Sequence, residues 1–117
     1  MAMYEPTECI LWTEPNKILR AASNLFTQIE CFVQESHYSK RLLRCRECGQ
    51  HYLVEFHEDI DWVDGDDPQL WIYTPVADAN EFMQLLRGEL DRESARRPRL
   101  HRDWPKGEDM KAYWVKD

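Results

Sequence analysis

Residues 44–52 read RCRECGQHY, and they hold the first side chains whose types and spacing could do chemistry. Cys45 and Cys48 frame a C-x-x-C pair, and Gly49 follows at once. Such a pair serves either thiol–disulfide exchange or metal ligation. The redox use places the pair at the start of a helix, whose dipole lowers the thiolate pKa. Here the residues after Cys48, GQHYLVEF, form a strand pattern opened by glycine, so the redox reading loses its physical basis. Metal ligation needs a tight turn that aims two thiolates at one ion. A glycine after the second cysteine relieves the backbone so that its amides can face the sulfurs. CRECG between two strands therefore reads as one zinc-binding knuckle.

A structural zinc takes four ligands, so two more are required. No second C-x-x-C occurs; the nearest remnant is CILW at 9–12, where Trp12 occupies the place of the second cysteine. The candidates are Cys9, Cys31, His51 and His57. Cys9 sits as the first cysteine of a knuckle would. Cys31 reaches the site if its strand pairs beside RLLRC, and serves equally well as a small buried apolar residue. His51 and His57 share a strand face but stand roughly 20 Å apart at ~3.3 Å per residue, so they cannot both bind one ion. The expected ligand set is Cys45, Cys48, Cys9 and Cys31 around zinc; the alternative is a degenerate knuckle that keeps its fold without metal.

The second chemical feature is EFHEDIDWVDGDDP, with seven carboxylates in the 13 residues 55–67 around Trp62. A calcium loop of the EF-hand type starting at Asp59 would need a ligand at Val63, glycine at Asp64 and glutamate at Leu70, and fails at all three. Asp59 and Asp61 could hold Mg²⁺ or act as acid and base. Yet no cation lies nearby to orient an anionic substrate, and no phosphate loop or nucleophile motif appears anywhere. The chain therefore reads as a non-enzyme. Clustered carboxylates beside an aromatic side chain suit docking on a basic partner, the charges steering the encounter and the ring supplying desolvated contact. Glu58, Asp59, Asp61, Trp62, Asp64, Asp66 and Asp67 are the candidate partner-binding residues. The bland reading is a solvated hairpin tip whose tryptophan is core.

Periodicity indicates the elements that position these groups. EPNKILRAASNLFTQI places Ile18, Ala22, Leu25, Phe26 and Ile29 on one helical face entered through Pro15. IECFVQE, RLLRC, HYLVEFHEDIDW and QLWIYTPV read as successive strands, with SHYSK a turn and VDGDDP a loop. A second helix spans 78–93, capped by Asp78 with Glu81 three residues on, and Phe82, Leu85, Leu86 and Leu90 line one side. RRPRLHRDWPKGED reads as irregular, and KAYWV as a last strand. The expected fold is α+β: a small antiparallel β-meander, with a zinc-ribbon-like knuckle, flanked by two helices in a single domain over 1–117.

The net charge of −7 opposes nucleic acids and anionic membranes and suits a basic protein partner. From Gln50 to Leu86 there is no lysine or arginine and the charge is −9, leaving +2 for the remainder. Arg87, Arg92, Arg96, Arg97, Arg99 and Arg102 follow directly. Two uses fit this run: neutralising the acidic strands, with Trp104 stacked under an arginine, or contacting RNA. No stretch approaches the ~20 apolar residues of a membrane span. MAMYEPTEC lacks the basic and apolar regions of an export signal, so a cytoplasmic location with reduced or metal-bound cysteines is expected.

CRECGQHYLVEFHEDIDWVDGDDPQ, with the closing RDWPKGEDMKAYWV, resembles a set of short bacterial proteins. In them a CxxCG knuckle is followed by a strand with tyrosine and glutamate and by a DW…G.DP loop. The likeness covers about residues 40–117 and brings no catalytic residues; Cys45, Cys48 and Gly49 match the knuckle. By size and acidity such proteins are similar to immunity proteins, which cover the basic active site of a toxin. The resemblance thus implies an inhibitor of a nuclease-type toxin, with a zinc-ribbon-like accessory protein on RNA or a ribonucleoprotein as the alternative.

Overall fold

The structure, a computed structural model, describes residues 6–59, 68–87 and 97–115. Alternation along the chain builds one six-stranded antiparallel sheet in the order β1-β2-β3-β4-β5-β6. The strands are β1 (Phe26–Glu35), β2 (Tyr38–Cys45), β3 (His51–Glu58), β4 (Gln69–Val76), β5 (Arg99–Trp104) and β6 (Lys111–Val115). Because side chains alternate faces, pairing sorts them into rows. Ser39, Phe56, Trp71, Arg102 and Ala112 form one row across β2 to β6. Arg41, Val54, Tyr73, Leu100 and Trp114 form the next, and Leu43, Tyr52 and Pro75 a third. These rows make the first face; Leu42, Leu53 and Val76 belong to the other.

At its knuckle end, the first face is closed by the N-terminal segment, which runs through α1 (Ile10–Thr13), a 3₁₀ turn (Pro15–Lys17) and α2 (Ile18–Leu25). Cys9, Leu11, Ile18 and Leu25 pack there with Phe26, Cys45, Tyr52, Tyr73 and Leu100. Trp114 pins the segment, donating its indole Nε1–H to the Leu11 carbonyl at 2.8 Å while Trp12 meets it edge-on at 4.9 Å. On the second face, α3 (Ala79–Arg87) lays Phe82 on Leu42, Leu53 and Val76. Its start is capped as expected: Asp78 Oδ1 accepts from the Glu81 amide, and Glu81 Oε1 accepts from the Ala77 amide, both at 2.9 Å.

The expectation of a small meander flanked by two helices is overturned. Strand makes up about half of the described residues, in a single six-stranded sheet that dominates the fold. Two misreadings account for this. The helix read through Ile29 stops at Leu25, where Phe26 turns extended (φ −124°, ψ 149°) and the Arg46 amide takes the Leu25 carbonyl at 2.8 Å. Phe26–Ile29 belong to β1, where Ile29 is exposed beside a break in register between Gln28 and Glu30. Such bulges suit an edge strand, since they spoil the template it would offer another chain. The second misreading is RLHRDW, taken as irregular, which is β5. Its inward alternation is Leu100 then Arg102, an arginine doing the work of an apolar residue by lying on a tryptophan ring.

Candidate metal centre

β2 ends at Cys45 and β3 begins at His51, so the knuckle is the connection of this hairpin. The Cys45 amide donates to the Gln50 carbonyl at 2.8 Å, and the Gly49 amide to the Cys45 carbonyl at 2.9 Å. Closing so tight a turn requires φ +80° at Gly49, a left-handed value that a side chain would strain. The N-terminal segment supplies the third thiol. A turn closed by the Cys9 amide on the Pro6 carbonyl (2.9 Å) sets Cys9 against the knuckle.

The sulfurs of Cys9, Cys45 and Cys48 all lie within 4.8 Å of one another. Zinc bonded to thiolates at ~2.3 Å in a tetrahedron holds them about 3.8 Å apart, so a contraction of at most about 1 Å would seat the ion. Cys9 and Cys45 are buried, Cys48 is exposed, and all are free thiols. Burial pushes the Cys9 thiol up to about 12, and the neighbouring Cys48 and Cys45 add to the rise. Cys48 is likewise raised, chiefly by partial desolvation of its sulfur. Backbone amides oppose this, that of Leu11 at Cys9 and that of Gln50 at Cys48. The arrangement thus crowds three sulfurs together, two of them beside amides that favour thiolates, which a divalent cation would reconcile.

Tyr52 carries a further sign of fit. Its side chain is wholly buried, and its hydroxyl faces Cys9 without a hydrogen bond of regular geometry. A neutral thiol is a weak acceptor for a buried hydroxyl. A metal-bound Cys9 thiolate would accept from it. Tyr52→Phe should therefore weaken zinc binding by about 10- to 100-fold, the usual cost of losing a supporting contact to a ligand. Competition against a chromogenic chelator reads this directly, and an unchanged affinity would show that the hydroxyl is a bystander.

Of the four expected ligands, Cys9, Cys45 and Cys48 are brought together. Cys31 stays away on β1, exposed, with its thiol near the Val33 carbonyl and Gln34 Oε1. His51 and His57 also stay outside the cluster, His57 lying beside Glu55 at 3.6 Å and Tyr38. Trp12, in the place of a second knuckle cysteine, packs on Trp114 instead. Among the described residues no fourth metal ligand joins the three. Beside them opens a hollow of about 330 Å³, bordered by Cys9, Cys48, Thr7, Glu8 and Gln50.

Of the partner-binding candidates, Asp61, Trp62, Asp64, Asp66 and Asp67 lie outside the described residues. Glu58 closes β3, accepting from Gln69 Nε2 at 2.6 Å and meeting His37 Nδ1 at 2.8 Å. These contacts, Gln69 first, hold its carboxyl below the usual range. Asp59 is exposed, and its amide donates to the Pro68 carbonyl at 3.1 Å. Asp59 and Pro68 thus stand side by side at the end of the sheet opposite the knuckle. The basic run is partly consumed internally. Arg97 is buried, pairs with Glu81 at 2.7 Å and donates to the Pro75 carbonyl. The stacked pair is Arg102 on Trp71 at 4.2 Å; Trp104, expected beneath an arginine, is 46% exposed.

Sequence reasoning missed Tyr52 and Arg102. Tyr52 had a signal in its place, at the start of a strand leaving the knuckle and in step with Val54. Among the described residues no helix is long and apolar enough to cross a membrane. No family model, curated protein or solved structure matches the chain.

Proposed function

We propose that this chain is a non-enzymatic binding protein, held rigid by zinc at Cys9, Cys45 and Cys48, that engages a basic protein through its acidic connection between β3 and β4. Its most concrete form is an immunity protein of the cytoplasm that occludes the active site of a nuclease-type toxin. The observation that carries the reading is the segregation of charge: −9 from Gln50 to Leu86 with no lysine or arginine. Pairing of β3 with β4 gathers Glu58, Asp59 and both ends of the connection at one end of the sheet. Carboxylates there would face the lysines and arginines that hold phosphate in the toxin, and steering by such charges raises association rates by 10- to 1,000-fold. The zinc would be structural, fastening the N-terminal segment to the far hairpin. The RNA-binding alternative is weakened by the internal use of Arg97 and Arg102.

The double variant Asp64→Lys/Asp66→Lys tests the acidic face. Against a partner captured from the source cell, its association should be at least tenfold slower at low salt, with the difference shrinking as salt rises. Equal rates for variant and parent would remove the acidic face from the mechanism.

A further inference from the structure

The N-terminal segment covers the first face of the sheet only at the knuckle end. Toward the acidic end the same face opens into a hollow of about 450 Å³, within the range of small-molecule sites. Its floor and walls include Ser39, Arg41, Phe56, Trp71, Tyr73 and Arg102. Phe56 and Trp71 stand 4.9 Å apart between ring centroids and form an aromatic wall. Neighbouring strands lie ~4.8 Å apart, so Arg41 on β2 and Arg102 on β5 flank this wall across about 14 Å of sheet.

Neither guanidinium group has a carboxylate partner among the described residues. Arg102 lies over the Trp71 ring at 4.2 Å, beside the Tyr73 hydroxyl, and gives its Nε–H to Met110 Sδ, a weak acceptor, at 3.2 Å. Arg41 donates from Nη2 to Gln34 Oε1 at 2.9 Å, while its Nε is buried with no partner. In a chain of net charge −7, two cations in an aromatic hollow, with no carboxylate partner among the described residues, are complementary to an anion with a flat apolar body. Guanidinium groups bind carboxylates and phosphates through paired N–H donors, and a charged acceptor would relieve the buried Arg41 Nε.

We propose that this hollow binds a small aromatic anion, its ring against Phe56 and Trp71 and its carboxylate or phosphate between Arg102 and Arg41. The site is separate from the three cysteines. Calorimetric titration of the intact protein with 1-naphthoate, 1-naphthyl phosphate and neutral 1-naphthalenemethanol tests it. At least one anion should bind one-to-one, at least tenfold more tightly than the alcohol, and the better of the two identifies the headgroup. Arg102→Gln should abolish the preference for the anion while the alcohol still binds. Arg41→Gln should reduce that preference, which guards against a folding defect in the first variant. Failure of both anions to bind at millimolar concentration, equal binding of anion and alcohol, or an anion preference intact in both variants would overturn the proposal.

Discussion

Cys45→Ser is expected to abolish stoichiometric zinc binding and to lower the melting midpoint by about 15 °C. Cys45 is wholly buried at the centre of the knuckle, and serine at that position supplies no thiolate. A ligand present at a thousandfold its dissociation constant stabilises a fold by about 4 kcal/mol. For a domain of 117 residues each kcal/mol moves the midpoint by roughly 4 °C. The same loss should appear when a strong chelator is added to the parent protein, and the chelator should do nothing further to the variant. The zinc-dependent part of the midpoint should also shrink between pH 8 and pH 6. Loss of solvation raises the Cys9 and Cys48 thiols, Cys9 to about 12, so zinc must displace protons there that compete more strongly as pH falls. Cys31→Ser is the control. Exposed and outside the cluster, it should leave both zinc content and melting unchanged, and a drop equal to that of Cys45→Ser would mean that the ligands are wrongly assigned.

The other large effect belongs to the opposite face. Phe82→Ala should cost about 3–5 kcal/mol, or roughly 12–20 °C at the midpoint, by opening a cavity under α3. Phe82 is wholly buried, the ring through which α3 meets Leu42, Leu53 and Val76, and it lies 4.7 Å from Phe32. Its loss also loosens the Glu81–Arg97 pair that ties the helix to the approach to β5. Zinc content should stay that of the parent, because Cys9 and Cys45 belong to the other core cluster and Cys48 sits beside them in the knuckle. Differential scanning calorimetry with elemental analysis on one sample separates the two effects. A midpoint lowered by less than about 4 °C would show that α3 is an appendage rather than part of the core.

How far these features could be read in advance depended on whether their cause was local. The knuckle was legible because its determinants, two cysteines and a glycine, sit within five residues and force a turn. β3, β4, β6 and the second half of β2 followed from their apolar, β-branched and aromatic runs, and the start of α3 from Asp78 and Glu81, while Tyr38, Ser39 and Lys40, read as part of a turn, belong to β2. The failures came where distant partners decide. Ile29 suits a helical stripe, but pairing with β2 pulls the chain extended from Phe26 onward, because β1 gains a ladder there that an isolated helix could not match. β5 was hidden because Arg102 occupies an inward position, and only Trp71, 31 residues earlier, makes that position tolerable. Cys9 and Cys31 could not be told apart by spacing. What separates them is that the turn from Pro6 and the anchoring of Leu11 by Trp114 bring Cys9 back over the sheet, while β1 carries Cys31 to an exposed edge.

X-ray absorption at the zinc edge, on protein purified without added metal or chelator, tests the metal brace most directly. The expected result is one zinc per chain with three sulfur neighbours at about 2.3 Å and a single lighter donor completing the shell. Zinc well below one equivalent, or a bound ion without a sulfur shell, would contradict the account.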